Sequence, residues 1–165
     1  MIAMKHVLVA TDFGEAADAA LTYGRALARA FGASLHVLHV VPDIFLSSYG
    51  SEFYIPDNPA TQDEVNAAAR RQLDDRLIDN DAGPAPVGVL RVSTAPAPAI
   101  VEYAKEANVD LIVMGTHGRK AVAHLLMGSV AERVVRTAPC PVLTVHHPEH
   151  EFVTPDTLVA VPRGF

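Results

Sequence analysis

Asp110-Leu111-Ile112-Val113-Met114-Gly115-Thr116-His117-Gly118 is the stretch on which the fold turns, and after nine intervening residues Gly128-Ser129 closes it. Residues 110–114 are a short, strongly apolar run, which reads as a buried strand. Glycines at 115 and 118 follow where that strand would end, and they let backbone come close to a ligand. Ser129 to Thr137 then reads as a short helix with Val130, Val134 and Val135 facing inward. Gly128-Ser129 at its start presents free amides and a hydroxyl, a ready site for an anion. Arg119 and Lys120, between the glycines, lie where they could meet phosphate oxygens.

Working outward, strand-like and helix-like patterns alternate. Val7-Leu8-Val9-Ala10 is an apolar run bounded by Thr11-Asp12. Ala16, Ala20, Tyr23, Leu27 and Phe31 recur at helical spacing, and Gly32 supplies a stop. Residues 34–41 form a second strand that Pro42 ends. Residues 42–60 show no period and read as a long loop. Thr61-Gln62-Asp63-Glu64 reads as a capping box, followed by Val65, Ala69, Leu73 and Leu77 on a helix. Val87 to Val92 is a third strand. Pro96 and Pro98 suit the first turn of the next helix, which Ile100, Tyr103, Ala104 and Ala107 continue. Pro141 to Val145 is a fifth strand. The order predicts an α/β fold: a Rossmann-like, doubly wound, five-stranded parallel sheet with helices on both faces. Ligands of such sheets bind beyond the carboxyl ends of the strands, where the winding reverses.

Bulk properties bound the function. The 165 residues fit one domain, here 1–147, with 148–165 as an extension. Half are apolar and 19% charged, with a net charge of −6 from 13 basic and 19 acidic residues. No basic run exists, which argues against nucleic acid or an anionic membrane as partner. No apolar run approaches the ~20 residues of a membrane helix, and no signal peptide is expected. The single cysteine, Cys140, rules out an internal disulfide and suits a cytoplasmic location. Between two prolines, it reads as a small packed residue.

Neither Gly-x-x-x-x-Gly-Lys-Ser/Thr nor Gly-x-Gly-x-x-Gly after the first strand is present, so neither a P-loop nor a dinucleotide fingerprint is carried. The pattern that is carried, Gly115, Gly118, Gly128 and Ser129, resembles that of the ATP-binding universal stress proteins. Ala10-Thr11-Asp12, His39-Val40 and Ala138-Pro139-Cys140-Pro141-Val142 are similar landmarks. The resemblance covers about residues 3–147. It implies an adenine nucleotide α-hydrolase-like fold and a site of Ala10, Thr11, Asp12, Val40, Met114, Gly115, Gly118, Arg119, Gly128, Ser129 and Val130. In that site Thr11 and Asp12 line the adenosine side, Val40 meets adenine, Met114 and Gly115 border ribose, and Gly118, Gly128 and Ser129 hold phosphates. ATP with Mg²⁺ is the implied ligand. The implied assembly is a homodimer through residues 141–145, which the exposed edge of a last strand also invites. Gly14 and Thr94 depart from the family's usual serine and glycine.

Several residues keep two readings. Asp12 is either a cap for the first helix or a contact to nucleotide and Mg²⁺. His117 and His124 either meet phosphate or stand in solvent. His146, His147 and His150 read as a solvated tail rather than a metal site. His36 and His39, three apart on a strand, point to opposite faces and cannot share a site. No residue is nominated as catalytic. Three functions follow: a nucleotide-dependent regulatory dimer in stress response; a slow ATPase or phosphoryl- or adenylyl-transfer enzyme; and a nucleotide-free interaction dimer, against which the intact phosphate loop argues.

Overall fold

The computed structural model describes residues 3–48, 59–78, 85–116 and 128–146. In order, these form β1 (His6–Thr11), α1 (Glu15–Phe31), β2 (Ser34–Val41), α2 (Ile44–Ser48), α3 (Pro59–Leu77), β3 (Val87–Val92), α4 (Pro96–Glu106), β4 (Leu111–Gly115), α5 (Ser129–Thr137) and β5 (Val142–Val145). All four strand pairings are parallel, and the sheet runs β3-β2-β1-β4-β5. The α/β doubly wound fold expected from the alternation is the fold observed.

Alternation along the central strands builds two cores, one on each side of the sheet. Val7 and Val9 of β1 and Leu111 and Val113 of β4 pack with Ala20, Leu21 and Ala28 of α1 and with Ala69 and Leu73 of α3. Leu8, Ala10, Ile112 and Met114 point the other way, onto Ile100, Tyr103 and Ala104 of α4 and Ala131 and Val134 of α5. Strands buried on both faces are apolar without interruption, which is why β1 and β4 read so clearly. His36 and His39 do face opposite sides: the His36 ring meets the Tyr103 hydroxyl at 2.7 Å, whereas His39 stacks on Phe13. Burial, and then the neighbouring His6, hold His36 below the usual histidine pKa.

Four local readings are corrected. Residues 42–60 are not wholly loop. Asp43 Oδ1 accepts the amides of Phe45 and Leu46 and so caps α2. The Thr61–Glu64 stretch is not a capping box, because α3 already includes Pro59 and Ala60. Its Gln62 instead ties back to the preceding segment, accepting the Ile44 amide and donating to the Pro42 carbonyl. On α1, Tyr23 and Phe31 are exposed, and the face against the sheet is made of Ala17, Ala20, Leu21, Gly24 and Ala28. A helix advances about 100° per residue, so Tyr23 lies off the stripe centred on Gly24, while Phe31 ends the helix. Gly24 is needed there, since a Cβ would sit 2.3 Å from Val9 Cγ2. On α5, Val135 is 45% exposed and Ala131 takes the buried place beside Val134.

Gly115, at the end of β4, meets the first turn of α1. A Cβ at this position would lie 2.8 Å from Ala16 Cβ and 2.9 Å from its carbonyl carbon. Backbone cannot yield as a side chain can, so Gly115→Ala should overpack this junction and lower the unfolding free energy by about 1–3 kcal/mol. Urea titration of the two proteins measures it; equal midpoints would show that the strand and helix are free to part.

Candidate functional site

Strand order alone opens a crevice. β1 leads into α1 on one face, and β4 leads toward α5 on the other, so the chain segments leaving these adjacent strands diverge. A cleft of about 360 Å³ lies at this point. Ala10, Thr11 and Asp12 come to it from the end of β1, His39 and Val40 from β2, and Met114, Gly115 and Thr116 from β4. Pro96 and Ile100 of α4 form one wall, and Gly128, Ser129, Val130 and Ala131 bring the start of α5. The volume falls in the ~300–1,000 Å³ range of small-molecule sites.

Of the expected site residues, the cleft gathers Ala10, Thr11, Asp12, Val40, Met114, Gly115, Gly128, Ser129 and Val130. Gly118 and Arg119 lie outside the described residues, as do His117, Lys120, His124, His147 and His150. One residue gains a second reason. Glycine at 115 is also required by the contact with Ala16.

The cleft has an apolar part and a polar part. Leu38, Val40, Pro96, Ile100 and Met114 line the former, between the sheet and α4. At the other part, α5 begins with Gly128 in extended conformation (φ −68°, ψ 152°) and no side-chain cap on its first amides. The first-turn amides and helix dipole of such an end attract anions. Thr116, 1% exposed, anchors this region: its amide donates to Val145 O at 2.9 Å, and its carbonyl accepts the Gly128 amide. Its hydroxyl meets His146 Nδ1 at 3.0 Å, so the first histidine of the tail packs against the loop start.

The β1–α1 turn is held tightly. Thr11 Oγ1 accepts the Phe13 amide, and Asp12 Oδ1 accepts the Gly14 amide, each at 3.0 Å. Asp12 is therefore not the cap of α1. Gly14 stands at that position without a side-chain bond, and the carboxylate of Asp12 braces the turn while lining the cleft. Phe13 has φ +66°, in the left-handed region that bulky residues avoid. Its ring stacks on His39 at 4.0 Å, and His39 Nδ1 donates to Thr11 O at 2.8 Å. Arg76 of α3 covers the other contacts of Phe13: Nη2 donates to Phe13 O at 3.0 Å, and the guanidinium lies 4.9 Å from the ring centre. Asp18 of α1 accepts from Arg76 Nε at 2.7 Å and from Nη2 at 3.2 Å. Phe13, Arg76, Pro96, Ile100 and Thr116 were not legible as site residues. Only Thr116, between the two glycines of the motif, carried a local signal.

Among the described residues, no three His, Cys, Asp or Glu side chains group to hold a metal, and no helix is long and apolar enough to cross a membrane. Cys140 is half-buried beside Val142 and Ala138, and burial raises its thiol pKa, as expected of a packing residue.

A parallel sheet with a cleft of small-molecule size at its winding reversal, bordered by a helix N-terminus, defines a doubly wound α/β protein. Residues 4–146 match the model of the universal stress protein family, and the chain belongs to that family. A universal stress protein of Methanocaldococcus jannaschii is 31% identical over 150 residues, 89% of this chain and 85% of that protein. Universal stress protein UspA from Lactobacillus plantarum has the same fold with a TM-score of 0.69 and 27% identity, over 88% of this chain and 99% of that one. Two neighbours, each 26% identical, were solved with adenine nucleotides. One is a universal stress protein from Archaeoglobus fulgidus in complex with dAMP (TM-score 0.61, 88% of this chain, 99% of that one). The other is a universal stress protein in complex with cAMP (TM-score 0.55, 88% and 98%).

Proposed function

We propose that this protein binds ATP with Mg²⁺ in the cleft beyond β1 and β4 and acts as a nucleotide-dependent regulatory homodimer in stress response. The observation that carries the reading is the pairing, in one cleft, of apolar walls suited to a base with the uncapped start of α5 suited to phosphate. Val40 and Met114 would border the adenosine, Gly128 and Ser129 the phosphates, and Asp12 is the carboxylate placed to reach a nucleotide-borne Mg²⁺. Gly118 and Arg119 would complete the phosphate side. That related proteins take dAMP and cAMP supports an adenine nucleotide. Binding rather than turnover is the function proposed. Asp12 is the one carboxylate among the described lining residues, and its Oδ1 already braces Gly14. Fast phosphoryl transfer needs a residue to orient the nucleophile as well as cations on the developing charge.

Calorimetry with MgATP, AMP and cAMP tests the ligand. The parent should bind MgATP. Ser129→Ala should cost about 1 kcal/mol through one lost hydrogen bond, and Gly128→Val should abolish binding by placing a branched side chain against the phosphates. Undiminished binding by Gly128→Val would put the site elsewhere.

The dimer is proposed through residues 141–145. β5 stands at the end of the sheet order, and its Leu143 is exposed, as is Val135 on the helix before it. An unpaired apolar edge invites pairing with a second copy. Light scattering at micromolar concentration should give twice the chain mass, and Leu143→Lys should halve it. A parent that runs as a monomer would contradict the assembly.

A further inference from the structure

We propose that Arg76 is a positioning residue for the nucleotide site, holding the strained Phe13 and through it the turn that carries Thr11 and Asp12. The proposal rests on reading the cleft as a nucleotide site, and it assigns a role to α3, which contributes no residue to the cleft among those described.

The clamp is aimed at one point. Arg76 and Asp18 form a partly exposed ion pair, with side chains 24% and 49% accessible, and such pairs contribute little to stability. What sets this pair apart is where the guanidinium goes next. Its Nη2 donates to Phe13 O, and its Cζ lies over the Phe13 ring. A bulky residue at φ +66° persists only where its surroundings over-determine it. Here His39 stacks on the ring and Arg76 takes the carbonyl, so the turn is held from β2 and from α3. The turn in question is the one whose Thr11 and Asp12 line the cleft. Bound in its left-handed form, Phe13 sends the chain from β1 into α1 with the Asp12 carboxylate against the Gly14 amide. Released, Phe13 would relax toward an ordinary φ, and the backbone on either side, Asp12 included, would turn with it.

A structural tie alone and a positioning role differ in what they move. Arg76→Ala and the gentler Arg76→Lys are compared with the parent, well below their melting temperatures, by MgATP calorimetry and by amide hydrogen exchange at Phe13 and Gly14 in the ligand-free protein. Arg76→Ala should weaken MgATP by about tenfold and speed both amides. Arg76→Lys, which keeps the charge facing Asp18 but not the planar fork, should fall between. Phe13→Gly supplies the decisive background: glycine holds φ +66° without strain, so there Arg76→Ala should cost under about threefold. A lowered melting temperature with unchanged affinity and unchanged exchange would make Arg76 a stabilising contact and overturn the proposal. An equal loss of affinity in the parent and Phe13→Gly backgrounds would overturn the route through Phe13. Faster exchange in the variant, with no MgATP binding even by the parent, would overturn the nucleotide reading and with it the assigned role, leaving only the clamp.

Discussion

Right-handed crossovers acting on a fixed strand order are the constraint from which the site follows. The chain lays β1, β2 and β3 outward in one direction, then returns past β1 to add β4 and β5 on its other side. Handedness then forces α1 and α3 onto one face and α4 and α5 onto the other. At the centre of the sheet, between β1 and β4, neighbouring strands send their chains to opposite faces. The cleft is at that seam. No side chain was needed to open it; side chains decide what it accepts.

The seam has to be kept narrow at its base and open at its top. Gly115 allows β4 to press directly on Ala16, and Gly24 allows α1 to press on Val9, so α1 lies close against both strands. Above that contact, the turn after β1 is fixed by the Thr11 and Asp12 side chains, and the segment after β4 by the bonds of Thr116 to Val145 and Gly128. These hydrogen bonds satisfy backbone groups that strand pairing no longer serves, and they hold Asp12 and the α5 start at the cleft's rim. Its depth is left to the apolar residues Leu38, Ile100 and Met114.

Much of this was legible in the sequence because it is periodic. Doubly buried strands announce themselves as apolar runs, which located β1 and β4, and their alternation with helical patterns gave the fold class. The glycine and serine spacing marked the end of β4 and the start of α5, and the structure brings Gly115, Gly128 and Ser129 to one cleft with Thr11 and Asp12. What escaped is what depends on distant contacts. Asp18 and Arg76 stand 58 residues apart, and nothing local to either shows that they meet over Phe13. Helix α2 is a single capped turn or little more, too short to show a period. Aromatic residues misled on α1, since its buried stripe is built of alanines, Leu21 and Gly24, and the large Tyr23 lies off it. The contact of Gly115 with Ala16 also escaped, because a motif tells where a glycine stands and not which neighbour demands it.

The crevice between β1 and β4 is the place proposed to receive an adenine nucleotide. Amide chemical-shift mapping during titration with MgATP tests it most directly, since every wall of the cleft carries backbone reporters. Saturable shifts are expected at residues 10–12, 38–40, 114–116 and 128–131, with the opposite end of the sheet, around His6, Ser34 and Asp110, left unmoved. Saturable shifts centred on that opposite end, or none at millimolar MgATP, would contradict it.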